Sequence, residues 1–197
     1  MGKVSLGPQT WIYPMPALLV GSNINDKPHF MAVAWAGIVN SEPPMISIAI
    51  RYNRHTISGI RQNMTFSANV PSVDLVKETD YCGIASGPEA NKVEVCRFKV
   101  FYGKLKNAPL IEQCPVNLEC RVVHTLDLVS HVLFIGNIEE THVSEECLTG
   151  GKPDVSKINP LIYSITAPNR QYHTLGRAIA QAHSIGEALR PAKRVSR

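Results

Sequence analysis

The stretch from Pro28 to Thr56, PHFMAVAWAGIVNSEPPMISIAIRYNRHT, sets the tightest limits on what this chain can fold into. It joins a nearly continuous apolar run, a polar turn closed by Pro43 and Pro44, an alternating run, and a polar segment at which a helix begins. Side chains at successive strand positions face opposite ways, so Ile46, Ile48 and Ile50 share one face and Met45, Ser47, Ala49 and Arg51 the other. The isoleucine face is predicted to be core. Phe30 to Val39 is too continuously apolar for a half-solvated strand, and reads as buried on both faces or as a cavity wall. At its middle, Trp35 lies among Ala32, Ala34, Ala36 and Gly37. Such thinly clothed backbone lets a flat ring approach, but small residues equally make room for strand packing, and both readings stand. Next, Arg51-Tyr52-Asn53-Arg54-His55-Thr56 gathers cations and donors where unpaired helix N–H groups suit an anion. A phosphate is the expected guest, with the Thr56 hydroxyl able to cap the helix.

The remainder of the chain reads mainly as strand. Ala17 to Gly21, bounded by the turn formers Asn23, Asn25 and Asp26, forms a predicted hairpin with the run that follows. Thr65 to Val70 is a strand stopped by Pro71, Asp74 to Thr79 a helix capped by Ser72, and Tyr81 to Gly87 a turn-rich segment preceding Asn91-Lys92. Asn117 to His124 and His131 to Ile138 make a second hairpin. His131 opens its return strand as a turn residue, a core histidine or a ligand contact. Gly150 to Asp154 is a loop, without the strand-to-helix setting of a phosphate cradle. Leu161 to Ile165 is a strand, and Leu175 to Leu189 a closing helix with Ile179, Ala182 and Ile185 on one side. About seven strands without strand–helix alternation favour a mainly β fold, a closed antiparallel barrel with a few peripheral helices, over a doubly wound sheet.

Composition removes several function classes. With 44% hydrophobic and 18% charged residues the chain is not disordered, and 197 residues suit one domain, residues 1–197. No apolar run approaches the roughly 20 residues of a membrane helix. The start MGKVSLGPQT lacks the apolar centre of an export signal, so a cytoplasmic protein is expected. Cys82, Cys96, Cys114, Cys120 and Cys147 are odd in number and contain no C-x-x-C pair, as expected of reduced structural thiols and not of a metal site or disulfide scaffold. The net charge of +4 is mild and concentrates at Arg190, Lys193, Arg194 and Arg197, a solvated basic end with no nucleic-acid pattern elsewhere.

Several features in order resemble the flavin reductase-like, FMN-binding split-barrel proteins, and among them the flavoredoxin and archaeal ferric reductase branch. They are Pro16 with Leu19-Val20-Gly21, Lys27 to Met31 running into Ala34-Trp35, and Pro43-Pro44 before Ile46-Ser47-Ile48. Arg54-His55-Thr56, Phe66 to Asn69, Asp80 to Gly83 with Ser86-Gly87 and Lys92, and Tyr172 with Leu175-Gly176 extend the likeness over nearly the whole chain.

The resemblance implies a Greek-key split barrel that binds FMN non-covalently at the interface of a homodimer. By position, Thr56 and Lys92 contact the phosphate, with Arg51 or Arg54 adding charge; Ala34, Trp35, Asn40 and Ser41 border the isoalloxazine; and His131 meets the flavin. His29 is a further cofactor contact, standing where relatives often carry asparagine. The implied activity is hydride transfer from NAD(P)H to the flavin and onward delivery of electrons, a flavin or ferric reductase with no side chain acting as acid or base. A flavoredoxin-type carrier serving a redox protein partner is the alternative, and a barrel adapted to haem or a deazaflavin is a third.

Overall fold

The computed structural model describes residues 2–87, 90–166 and 169–190. In chain order the strands and α-helices are β1 (Met15–Pro16), β2 (Leu18–Ile24), β3 (Lys27–Val33), β4 (Ala36–Ser41), β5 (Pro44–Arg51), α1 (Thr56–Asn63), β6 (Thr65–Val70), α2 (Val76–Ile84) and α3 (Lys92–Val95). They continue with β7 (Val100–Phe101), β8 (Leu110–Ile111), β9 (Val116–Asp127), β10 (His131–Val143), β11 (Leu148–Thr149), β12 (Lys152–Pro153), α4 (Val155–Ile158), β13 (Ile162–Thr166) and β14 (Asn169–His173).

Seven strands form one antiparallel sheet in the order β3-β2-β6-β9-β10-β5-β4. Its two outer strands, β3 and β4, are consecutive in the chain and joined only by Ala34 and Trp35. The sheet must therefore curl until its edges meet at that link, where Ala49 N donates to Trp35 O at 2.8 Å. No ladder joins β3 to β4, so the barrel is split and not the closed one that strand count alone favours. Trp35 lies at the seam.

Alternation fills the barrel as expected. Ile46, Ile48 and Ile50 point inward with Phe66, Val132 and Phe134, all within one buried cluster. A second cluster lies outside β2 and β3, where Leu19 and Phe30 meet Cys82 of α2, Phe98, Ile111 and Cys114. Having core on both sides, β2 is buried along its whole length. This outer layer sets α2 and α3 against β3 and so makes one wall of the site. All five cysteines are free thiols, and only Cys96 is partly exposed; burial pushes the Cys82 thiol up to about 12.

Three sequence expectations need correction. Phe30 to Val39 is not one strand: β3 is half-buried to buried, but β4 leaves Ile38 66% and Val39 51% exposed. Crossing the seam puts these apolar residues on an outer face. The helix after Ser72 begins as a 3-10 turn at Val73–Leu75, carries no side-chain cap, and runs on to Ile84 through residues that read as turn. Leu175 to Leu189 holds no α-helix, only a 3-10 turn at Ile185–Leu189, with Ile179 94% exposed. Among the described residues helical spacing there meets no core, and a short helix without packing is marginal in water. Lys193, Arg194 and Arg197 lie outside the described residues. Among the described residues no helix is long and apolar enough to cross a membrane.

Candidate functional site

Two adjoining cavities lie along β3. The larger, about 500 Å³, is walled by β3, the Ala34–Trp35 link, the end of β5, His131, and Tyr163, Ile165 and Arg170 of the β13–β14 hairpin. Its volume falls within the ~300–1,000 Å³ of small-molecule pockets. The smaller, about 240 Å³, runs between β3, the start of α1, the Ala85–Gly87 loop and Lys92. Met31, Asn53 and Arg54 belong to the walls of both.

The small cavity is built from the turn after β5. Arg54 N donates to Arg51 O at 3.0 Å, and Ile57 N to Arg54 O at 3.2 Å, so the chain tightens directly into α1. His55, and not Thr56, is the N-cap residue, and it makes no side-chain cap. Thr56 is instead buried in the first turn. From the other side, the Lys92 ammonium donates to Phe30 O at 3.1 Å and Cys82 O at 2.9 Å, tying α3 to β3 and α2. Burial holds its pKa below the usual lysine value, the nearby Cys82 opposing and Arg54 adding to that effect. An ammonium carries three N–H donors, and Lys92 forms no ion pair among the described residues. The cavity wall contains Arg54, Lys92, His29 and His55 and no acidic residue among those described. A buried cation without a counter-charge is costly, and an oxyanion in this cleft fits that vacancy of charge.

Planar groups border the larger cavity. Trp35 and His131 stack with ring centroids 4.6 Å apart and an interplanar angle of 22°. His131 pairs with Arg51 across β10 and β5, and its Nδ1 lies 2.8 Å from Ser130 Oγ. Burial, and then the Arg51 charge, hold its pKa below the usual imidazole value. His131 is 8% exposed and Trp35 40% exposed, so the indole is the outer member of the pair and offers area to a ligand.

Of the residues singled out in the sequence, Ala34, Trp35, Arg51, Arg54 and His131 therefore surround the larger cavity, and His29, Arg54, Thr56 and Lys92 the smaller. Asn40 and Ser41 are not brought to either. They end β4 opposite Met45 and Pro44, where Asn40 Nδ2 donates to Pro43 O at 2.8 Å. The sequence singles out none of Tyr163, Ile165 and Arg170, which reach the cavity from well over 100 residues beyond Trp35. The one signal was Tyr172, whose hydroxyl donates to Asp80 Oδ1 at 3.1 Å and fastens that hairpin to α2.

A profile of the flavin reductase like domain matches residues 11–175. A protein of Archaeoglobus fulgidus is 33% identical over 147 residues, 74% of this chain and 81% of that one. The structure of flavoredoxin from Methanosarcina acetivorans is 40% identical with a TM-score of 0.91, covering 96% of this chain and 100% of that chain. Flavoredoxin of Desulfovibrio vulgaris (Miyazaki F) is 35% identical with a TM-score of 0.86, covering 94% of this chain and 100% of that chain. With its split barrel and its match along most of its length, the chain belongs to the flavin reductase-like family.

Proposed function

We propose that this protein binds FMN and works as an NAD(P)H-dependent flavin or ferric reductase. The observation that carries the reading is the pairing of a cationic cleft, with no acid among its described wall residues, with a larger, partly aromatic cavity across the shared Met31, Asn53 and Arg54. A flavin mononucleotide has that same division, a phosphate at one end and a flat ring system at the other.

In this reading Lys92, Arg54, Thr56 and His29 hold the phosphate, which carries about −1.5 to −2 charge at neutral pH. Trp35, with His131 locked behind it, and the narrow backbone at Ala34 define the plane of the ring. Arg51 and Arg170 make that cavity cationic and favour an electron-rich ligand. When bound, the flavin supplies the hydride and one-electron chemistry, while the protein supplies position and electrostatics. No acid or base is assigned among the side chains.

The homodimer belongs to the same proposal. Ile38 and Val39 on β4 and Leu128 and Val129 at the β9–β10 turn are exposed apolar side chains suited to burial against a second copy. Asn40 and Ser41 would then border a flavin only across the subunit boundary.

Identity of 40% and 35% to two flavoredoxins favours a second reading, an electron carrier between protein partners. Anaerobic titration of the FMN-reconstituted protein separates the two. Bleaching of the flavin by NADH or NADPH supports the reductase. Resistance to both, with reduction by a ferredoxin-type protein, supports the carrier. Failure of the folded chain to bind FMN overturns both.

A further inference from the structure

We propose that His29, packed against His55, is a proton-coupled phosphate receptor, its imidazole taking up a proton as the phosphate monoester of the ligand enters the cleft. The inference rests on the flavin mononucleotide reading above and concerns how that ligand is held and released.

The two rings meet edge to face, with centroids 5.3 Å apart and an interplanar angle of 78°. They come from different elements, His29 from β3 and His55 from the residue preceding α1. A third element presses on them: a Cβ at Gly87 would lie 3.0 Å from both Cβ and Cδ2 of His55, so the glycine lets the loop close over that imidazole. Both rings line the same cavity as Arg54, Thr56 and Lys92.

Among the described residues, every charged or titratable group that faces His29 is cationic or becomes so on protonation. His55 approaches from the start of α1, Lys92 from α3 and Lys27 from β3 itself, while Arg54 lies across the cavity. The Ala85–Gly87 loop brings no charge. Burial first, then His55, Lys92 and Lys27, hold the His29 pKa below the ordinary 6.5, so without a ligand the cleft keeps this imidazole neutral at pH 7. A phosphate dianion reverses the sign of the local field and favours the imidazolium, which then donates to the phosphate. Arg54 and Lys92 cannot play this part, since they are already charged.

The sign is fixed by linkage. Near pH 7 the phosphate is mostly dianionic, its second pKa being about 6, so the bound pair holds one more proton than the separated partners. Binding then tightens as pH falls from 8 to 7. With uptake of roughly 0.5 to 1 proton, the dissociation constant rises about three- to tenfold per pH unit on the way back up. Riboflavin, having the ring system and no phosphate, provides no such drive.

The test is calorimetric titration of the flavin-free protein with FMN and with riboflavin at pH 7, in buffers of different ionisation enthalpy. Roughly 0.5 to 1 proton is expected to enter with FMN and none with riboflavin. His29→Asn is expected to lower the uptake and flatten the FMN affinity between pH 7 and 8. FMN binding without proton exchange, or equal uptake with both ligands, overturns the receptor and leaves the flavin reading intact. Undiminished uptake in His29→Asn likewise overturns it. Absence of FMN binding by the folded protein overturns the two together. The wild-type comparison of the two ligands decides the matter even if a variant does not fold.

Discussion

Replacing Lys92 with methionine separates its ties to Phe30 O and Cys82 O from the phosphate contact proposed for it. The side chain keeps nearly its length but loses the charge that sits among Phe30 O, Cys82 O and the cationic cleft. Loss of a hydrogen bond to a charged group costs about 1.5–3 kcal/mol, so the FMN dissociation constant should rise roughly 10–140-fold. The same change strips two carbonyls of a donor, at about 1–2 kcal/mol each, which lowers the melting temperature by roughly 4–16 °C at this chain length. Riboflavin supplies the control. Quenching of flavin fluorescence, measured for both ligands with wild-type and Lys92→Met protein below the variant's melting temperature, should show FMN weakened and riboflavin changed by less than about threefold. Equal weakening of the two ligands would mean that Lys92 shapes the pocket without touching the phosphate, and an unchanged FMN affinity would place the phosphate elsewhere.

Trp35→Ala should give the opposite pattern, weakening FMN and riboflavin alike by roughly 2–12-fold, since an aromatic pair contributes about 0.5–1.5 kcal/mol beyond its area; selectivity for FMN in that loss would argue against a ring contact. Gly21→Ala places a Cβ 2.5 Å from Ser67 Oγ, 2.6 Å from Phe30 Cε1 and 2.7 Å from Pro109 O. Overpacking of this kind costs about 1–3 kcal/mol or more, so denaturant unfolding should shift to lower midpoint, and an unchanged midpoint would contradict the close packing of β2. The flavin-free protein should lose stability as pH drops through 6.5 toward 5, because His29 and His131 are held below that value when folded and the unfolded chain binds the protons first. A melting temperature that rises over this range would contradict the direction of both shifts.

Elements with a half-buried period of two were legible in the sequence. The β2–β3 hairpin and the inward Ile46, Ile48 and Ile50 follow from alternation and turn chemistry alone. The break at Ala34–Trp35 was not, because the jump from one edge of the sheet to the other is a property of barrel curvature and leaves no Gly, Pro or Asn signal there. The C-terminal helix failed for a related reason: the apolar spacing of Ile179, Ala182 and Ile185 signals packing, and among the described residues Ile179 and Ile185 stay exposed. At the site, the cluster from Arg51 to Thr56 was readable because it is contiguous. The meeting of His29 with His55, and the wall made by Tyr163 and Arg170, depend on strands and loops distant in sequence, and no local pattern encodes them.

On the FMN proposal, one chain holds one FMN, its phosphate in the cationic cleft and its ring at the Trp35–His131 seam. Equilibrium titration of flavin-free protein with FMN, followed by flavin absorbance and fluorescence, tests it most directly. Saturation is expected at one FMN per 21.7 kDa chain, with a perturbed flavin spectrum and tighter binding than riboflavin. A folded protein that leaves FMN free in solution, or that binds riboflavin as tightly as FMN, would contradict it.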